Sequence, residues 1–151
     1  LYSGTAQEVT ISRVLARPVM ELPPAVQEEE VFTVEYGLDA SGSQGGYGHI
    51  KAMDITMTYD QAQLEFVSAA AVDGHIVLAQ TDSSVPGEIR FIAACTDPEE
   101  GFAVDGTVLA VSMRAKQAGA AELGFSKSVA SNKTGLESHI PSVSGELQIQ
   151  P

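Results

Sequence analysis

Ile50-Lys51-Ala52-Met53-Asp54-Ile55-Thr56-Met57-Thr58-Tyr59 alternates apolar and polar side chains along its length. Met53, Ile55, Met57 and Tyr59 fall on one face, and Ala52, Asp54, Thr56 and Thr58 on the other. Successive side chains of a strand point to opposite sides of a sheet, so the pattern predicts a strand with one face in a core and one face outward.

The same period recurs in both directions from this stretch. Val9–Val14, Val31–Tyr36, Leu64–Val72, Ile76–Leu78, Glu88–Thr96, Thr107–Lys116, Ala121–Ser126 and Val143–Gln150 all read as strands, about nine in total. Gly, Pro, Asp and Ser punctuate them. No segment carries a capped helical stripe, and Gln61-Ala62-Gln63-Leu64 reads as a single turn. Many short strands without alternating helices predict an all-β sandwich in one domain over 1–151, with residues 31–150 as its body. Residues 1–30 read as an N-terminal strand followed by an extended connector, Pro18 to Glu30, which holds Pro23-Pro24 and the acidic run Glu28-Glu29-Glu30. Ser41–Gly48 and Thr96–Gly106 read as loops.

Bulk composition narrows the function. The 151 residues suffice for one domain with a sizeable core, and 44% apolar with 19% charged residues is a globular composition. No apolar run approaches the ~18 residues of a membrane span. A formal net charge of −12 repels phosphate backbones and anionic membranes, which argues against nucleic-acid binding and membrane insertion. The chain opens on Leu1 with no initiating Met and no signal-peptide pattern, so it is expected to be a piece of a longer protein. Cys95 is the sole cysteine; it cannot form an internal disulfide, and its apolar strand context predicts a small buried hydrophobe.

Catalytic motifs fail on context. The Gly-rich loop at 41–48 lacks the Gly-Lys-Ser/Thr of a phosphate cradle. His49, His75 and His139 stand apart, without a second ligand at zinc spacing. Gly42-Ser43-Gln44-Gly45 is one residue out of a nucleophile elbow. Asp97, Glu99, Glu100 and Asp105 share one loop; their oxygens suit calcium better than a glycosidase pair, but no full calcium-loop pattern is present. Asn132-Lys133-Thr134 is a glycosylation sequon. No acid, base or nucleophile set converges, so the chain is expected to be no enzyme, with neither cofactor nor metal of its own.

Three stretches, in order, carry a family resemblance. The first is Asp54-Ile55-Thr56-Met57-Thr58-Tyr59-Asp60 with Leu64-Glu65-Phe66-Val67. The second is Gly87-Glu88-Ile89-Arg90-Phe91-Ile92-Ala93-Ala94. The third is Asp105-Gly106-Thr107-Val108-Leu109-Ala110 with Met113-Arg114-Ala115-Lys116. Together with a closing strand over 145–149 they resemble the cohesins, the receptor modules that dock a dockerin. The likeness runs from about residue 30 to 150.

The resemblance implies a nine-stranded jelly roll that binds a dockerin on the face built from the family's strands 8, 3, 6 and 5. It also implies a monomeric module of a secreted, multimodular polysaccharide-degrading protein, extracellular or at the cell surface, with calcium on the dockerin. Asp54 matches the aspartate that hydrogen-bonds the partner helix, and Thr56 is expected to assist it. Alternation leaves Arg90, Ile92 and Ala94 outward beside them, with Ile92 and Ala94 at apolar contact positions of the family. Leu136 matches a further apolar anchor. Ala52 stands where many cohesins carry Asn, and Cys95 where some carry a contacting Glu. The outer face is expected to meet a basic dockerin surface. Two other readings share the fold: a carbohydrate-binding module, using Tyr47 or Phe102 or a calcium loop at 97–105, and a structural spacer of a surface protein.

Overall fold

A computed structural model describes residues 17–39, 50–72, 76–95, 106–132 and 137–151. All regular structure among them is strand. In chain order the strands are β1 (Arg17–Glu21), β2 (Ala25–Gln27), β3 (Val31–Asp39), β4 (Ile50–Tyr59), β5 (Leu64–Ala71), β6 (Ile76–Asp82), β7 (Glu88–Cys95), β8 (Gly106–Ala115), β9 (Gly119–Asn132), β10 (Glu137–Ile140) and β11 (Val143–Gln150). They form two sheets, one ordered β1-β3-β8-β5 and one ordered β2-β11-β9-β4-β7-β6, with β10 paired to β9. The chain changes sheet at nearly every connection from β1 to β6, which is the winding of a jelly roll.

Eleven described strands stand where the sequence pattern predicts about nine. Eight of them coincide with predicted strands, and three short pieces are additional. β1 and β2 occupy the stretch read as a connector; β1 pairs with β3, and β2 lies parallel to β11. Three to five residues beside prolines show too little alternation to read as strands. The third is β10. The expected strand Val9–Val14 and both predicted loops lie outside the described residues, apart from Gly106 at the head of β8.

Alternation fills the space between the sheets. Phe32, Val34, Tyr36 and Leu38 of β3 point inward with Leu109, Val111 and Met113 of β8. Facing them are Met53, Ile55 and Met57 of β4, Ile89 and Phe91 of β7, and Leu147 and Ile149 of β11. Each such side chain contributes roughly 1.5–3 kcal/mol by leaving water. Aromatic pairs bridge the layers: Tyr36 and Phe125 have ring centroids 4.3 Å apart, and Phe66 meets Phe91 edge-on at 6.5 Å. Cys95 continues the inward row of Ile89, Phe91 and Ala93 and is buried, as its context predicts. It faces the core, so it cannot take the outer-face contact that Glu makes in some cohesins.

β9 changes parity midway. Leu123 and Phe125 point inward, then Ser128 and Ala130. The β4–β9 register shifts between Thr56 and Met57, and this bulge is what turns Lys127, Val129 and Ser131 outward. Inward-facing Ser128 is satisfied by the Tyr36 hydroxyl, 2.7 Å from its Oγ. Burial pushes the Tyr36 pKa up, and the Ser128 hydrogen bond offsets this in part.

Candidate docking face

The outward set of β4 lies beside that of β7. Register pairs Ala52 with Ala94, Asp54 with Ile92, and Thr56 with Arg90. Six of the seven residues singled out in the sequence therefore occupy one patch of one sheet. Leu136 lies outside the described residues.

The patch extends across four strands. On one side β9 places Ser131 opposite Ala52, Val129 opposite Asp54 and Lys127 opposite Thr56. On the other, β6 places Val77 beside Ala94, Gln80 beside Ile92 and Asp82 beside Arg90. β10 adds Glu137 and His139 next to Ser131 and Val129. Apolar surface thus runs through Val129, Ala52, Ile92, Ala94 and Val77, with Val77 itself 48% exposed. Around Asp54 this surface forms a shallow depression of about 320 Å³, lined also by Lys127, Glu137 and His139.

An ion pair sits in the patch. Arg90 Nε donates to Asp54 Oδ1 at 3.0 Å, and Arg90 Nη2 donates to Oδ2 at 2.7 Å. The pair is diagonal across two strands, within reach of a long side chain. The Asp54 side chain is 26% exposed and that of Arg90 54%. The Arg90 hydrogen bonds hold the Asp54 carboxyl below its ordinary pKa; burial opposes them, and the charges of Arg90 and Lys127 add to the lowering.

The resemblance includes the family's strands 8 and 5 in the docking face, but no residue of β9, β10 or β6 was singled out from the sequence. The predicted strand Ala121–Ser126 stops at Ser126, because Ser126-Lys127-Ser128 shows no apolar face. A polar residue buried by pairing with Tyr36 hides the parity that would have revealed Lys127 and Val129. Val77 was visible only as part of a short apolar run.

Asp97, Glu99, Glu100, Asp105, His49, His75, Tyr47 and Phe102 lie outside the described residues. Among the described residues no group of three or more His, Cys, Asp or Glu side chains is placed to hold a metal ion, and no helix is long and apolar enough to cross a membrane.

The described residues thus form two packed sheets, one of which presents a mixed apolar and polar outer face. The family model for the cohesin domain matches residues 24–149, and the chain belongs to that family. Solved structures share the fold at low sequence identity. A cohesin module from a Clostridium perfringens family 33 glycoside hydrolase is 14% identical, covers 91% of this chain and 98% of its own, and superposes with a TM-score of 0.81. The sixth cohesin of Acetivibrio cellulolyticus scaffoldin B, solved in complex with a dockerin, is 18% identical, with coverage of 89% and 99% and a TM-score of 0.68. A non-cellulosomal cohesin of the archaeon Archaeoglobus fulgidus is 13% identical, with coverage of 90% and 93% and the same TM-score. No curated protein matches the chain.

Proposed function

We propose that this domain is a non-catalytic docking module that binds a dockerin through the outer face of β9, β4, β7 and β6. The observation that carries the reading is the set of neighbouring outward apolar residues Val129, Ala52, Ile92, Ala94 and Val77, set against Thr56 and the paired Asp54 and Arg90. Apolar residues turned away from a core and ringed by polar ones are what an interface uses. β9, β4, β7 and β6 are also neighbours in the order that the cohesin resemblance assigns to its docking strands 8, 3, 6 and 5. The Acetivibrio relative was solved with a dockerin bound, which supports the class of partner.

Ile92 and Ala94 would occupy the centre of a contact burying roughly 800 Å² on each side. Thr56 and Asp54 would supply directed hydrogen bonds, with calcium on the dockerin. The module would act as a monomer within a secreted protein, extracellular or at the cell surface. Its Clostridium relative belongs to a glycoside hydrolase and its Acetivibrio one to a scaffoldin, so both an enzyme and a scaffold fit as parent chain.

Calorimetric titration with dockerins encoded in the source genome, in calcium and then in chelator, tests this reading. Near-stoichiometric, calcium-dependent heat is expected. Absence of heat with every folded dockerin would refute it.

A further inference from the structure

Arg90 meets Asp54 with two parallel hydrogen bonds, the geometry in which guanidinium and carboxylate fix each other most strongly. Asp54 cannot turn toward a partner without breaking both bonds. Its unused lone pairs, in contrast, remain available to a donor from above the sheet. Docking would strip water from this carboxylate, and a carboxylate losing water favours protonation unless a cation stays beside it.

Resting on the docking reading above, we propose that Arg90 is a positioning residue for the interface: it clamps Asp54 as a fixed, ionised acceptor that the partner meets without rearrangement. Preorganisation of this kind lowers the cost of ordering side chains on binding.

The surroundings determine the pH behaviour. Asp54 is faced by Arg90 and Ile92 on β7, by Lys127 and Val129 on β9, and beyond these by Glu137 and His139 on β10. Arg90 itself lies between Asp54 and Asp82 of β6, with Glu88 two residues away on its own strand. The principal cause of the lowered Asp54 pKa is the Arg90 hydrogen bond. A lowered pKa keeps the acceptor ionised to a lower pH than an unpaired aspartate, and removing Arg90 returns it upward. Binding by an Arg90 variant should therefore fail at a higher pH than binding by the wild type.

The test compares wild type, Arg90→Gln and Arg90→Lys against a dockerin that binds the wild-type domain, at about pH 7 and about pH 4.5. Taking the ratio of variant to wild type cancels the partner's own titration, including that of its calcium ligands. Arg90→Gln is expected to bind about tenfold more weakly at neutral pH, with a larger loss in acid. Arg90→Lys, which keeps the charge but not the fork, should recover part of both losses. In an Asp54→Asn background, Arg90→Gln should cause no additional acid loss. An equal loss at both pH values would make Arg90 a direct contact and overturn the proposal, as would the absence of any loss. Failure of every dockerin to bind the wild type would instead remove the docking reading on which it rests.

Discussion

Tyr36 and Ser128 show how one buried polar pair can decide the facing of a strand. Their hydroxyls lie 2.7 Å apart between the sheets, where both residues are almost fully buried. Tyr36→Phe would leave the Ser128 hydroxyl without this partner. The expected cost is about 1–3 kcal/mol, measured as a lower urea midpoint with unchanged slope. Adding Ser128→Ala should recover part of that loss, because removing both polar groups is cheaper than stranding one. The same pair marks where sequence reading reached its limit. The outward facing of Asp54, Thr56, Arg90, Ile92 and Ala94 was legible, because Met53, Ile55, Ile89 and Phe91 fix the inward parity of their strands. Lys127 and Val129 were not legible, because only a tertiary contact explains a serine on the inward side.

Strand pairing accounts for features that look featureless as sequence. The run Glu28-Glu29-Glu30 reads as solvated charge, yet each residue closes the chain onto a neighbour. Glu28 Oε2 accepts from the Ala118 N–H at 2.9 Å, Glu29 pairs with Arg114 at 3.4 Å, and Glu30 Oε1 accepts from the Gln27 N–H at 2.9 Å. Glu29 also takes a positive φ of 71°, a conformation that costs a non-glycine residue energy. Gly124 performs a related service where β9 meets β11. A Cβ there would stand 2.5 Å from the Val143 carbonyl oxygen and 2.8 Å from Ser144 Cα, both backbone atoms of the paired strand. Gly124→Ala should push β11 away from β9 and destabilise the domain by about 1–3 kcal/mol, read as a drop in thermal midpoint. β1 and β2 were missed because each is too short to show alternation, and the partner of β2, β11, lies far away in sequence.

At the scale of the whole molecule, the two outer faces differ in character. The β1-β3-β8-β5 sheet presents mainly small and charged residues, Thr33, Ser112 and Ser68 in one row and Glu35, Ala110 and Ala70 in the next, and its strands also expose Val19, Val31 and Val67. Arg114 bonds to Glu65 beside them, its Nε donating at 2.9 Å. The opposite sheet carries the apolar strip and the Asp54–Arg90 pair. A net charge of −12 acts over the whole surface and would steer a basic partner from a distance. At contact range, inside the screening length of about 8 Å, the local arrangement takes over. Composition announced the first effect; only the register of β9, β4, β7 and β6 revealed the second. The central claim is that docking uses this one face. The direct test places the same charge on each sheet, Ile92→Asp on β7 and Ala70→Asp on β5, and titrates both folded variants with a dockerin that binds the wild type. Ile92→Asp is predicted to lose about 100-fold or more in affinity while Ala70→Asp binds as wild type does. Equal binding by the two variants, or a loss confined to Ala70→Asp, would contradict the account.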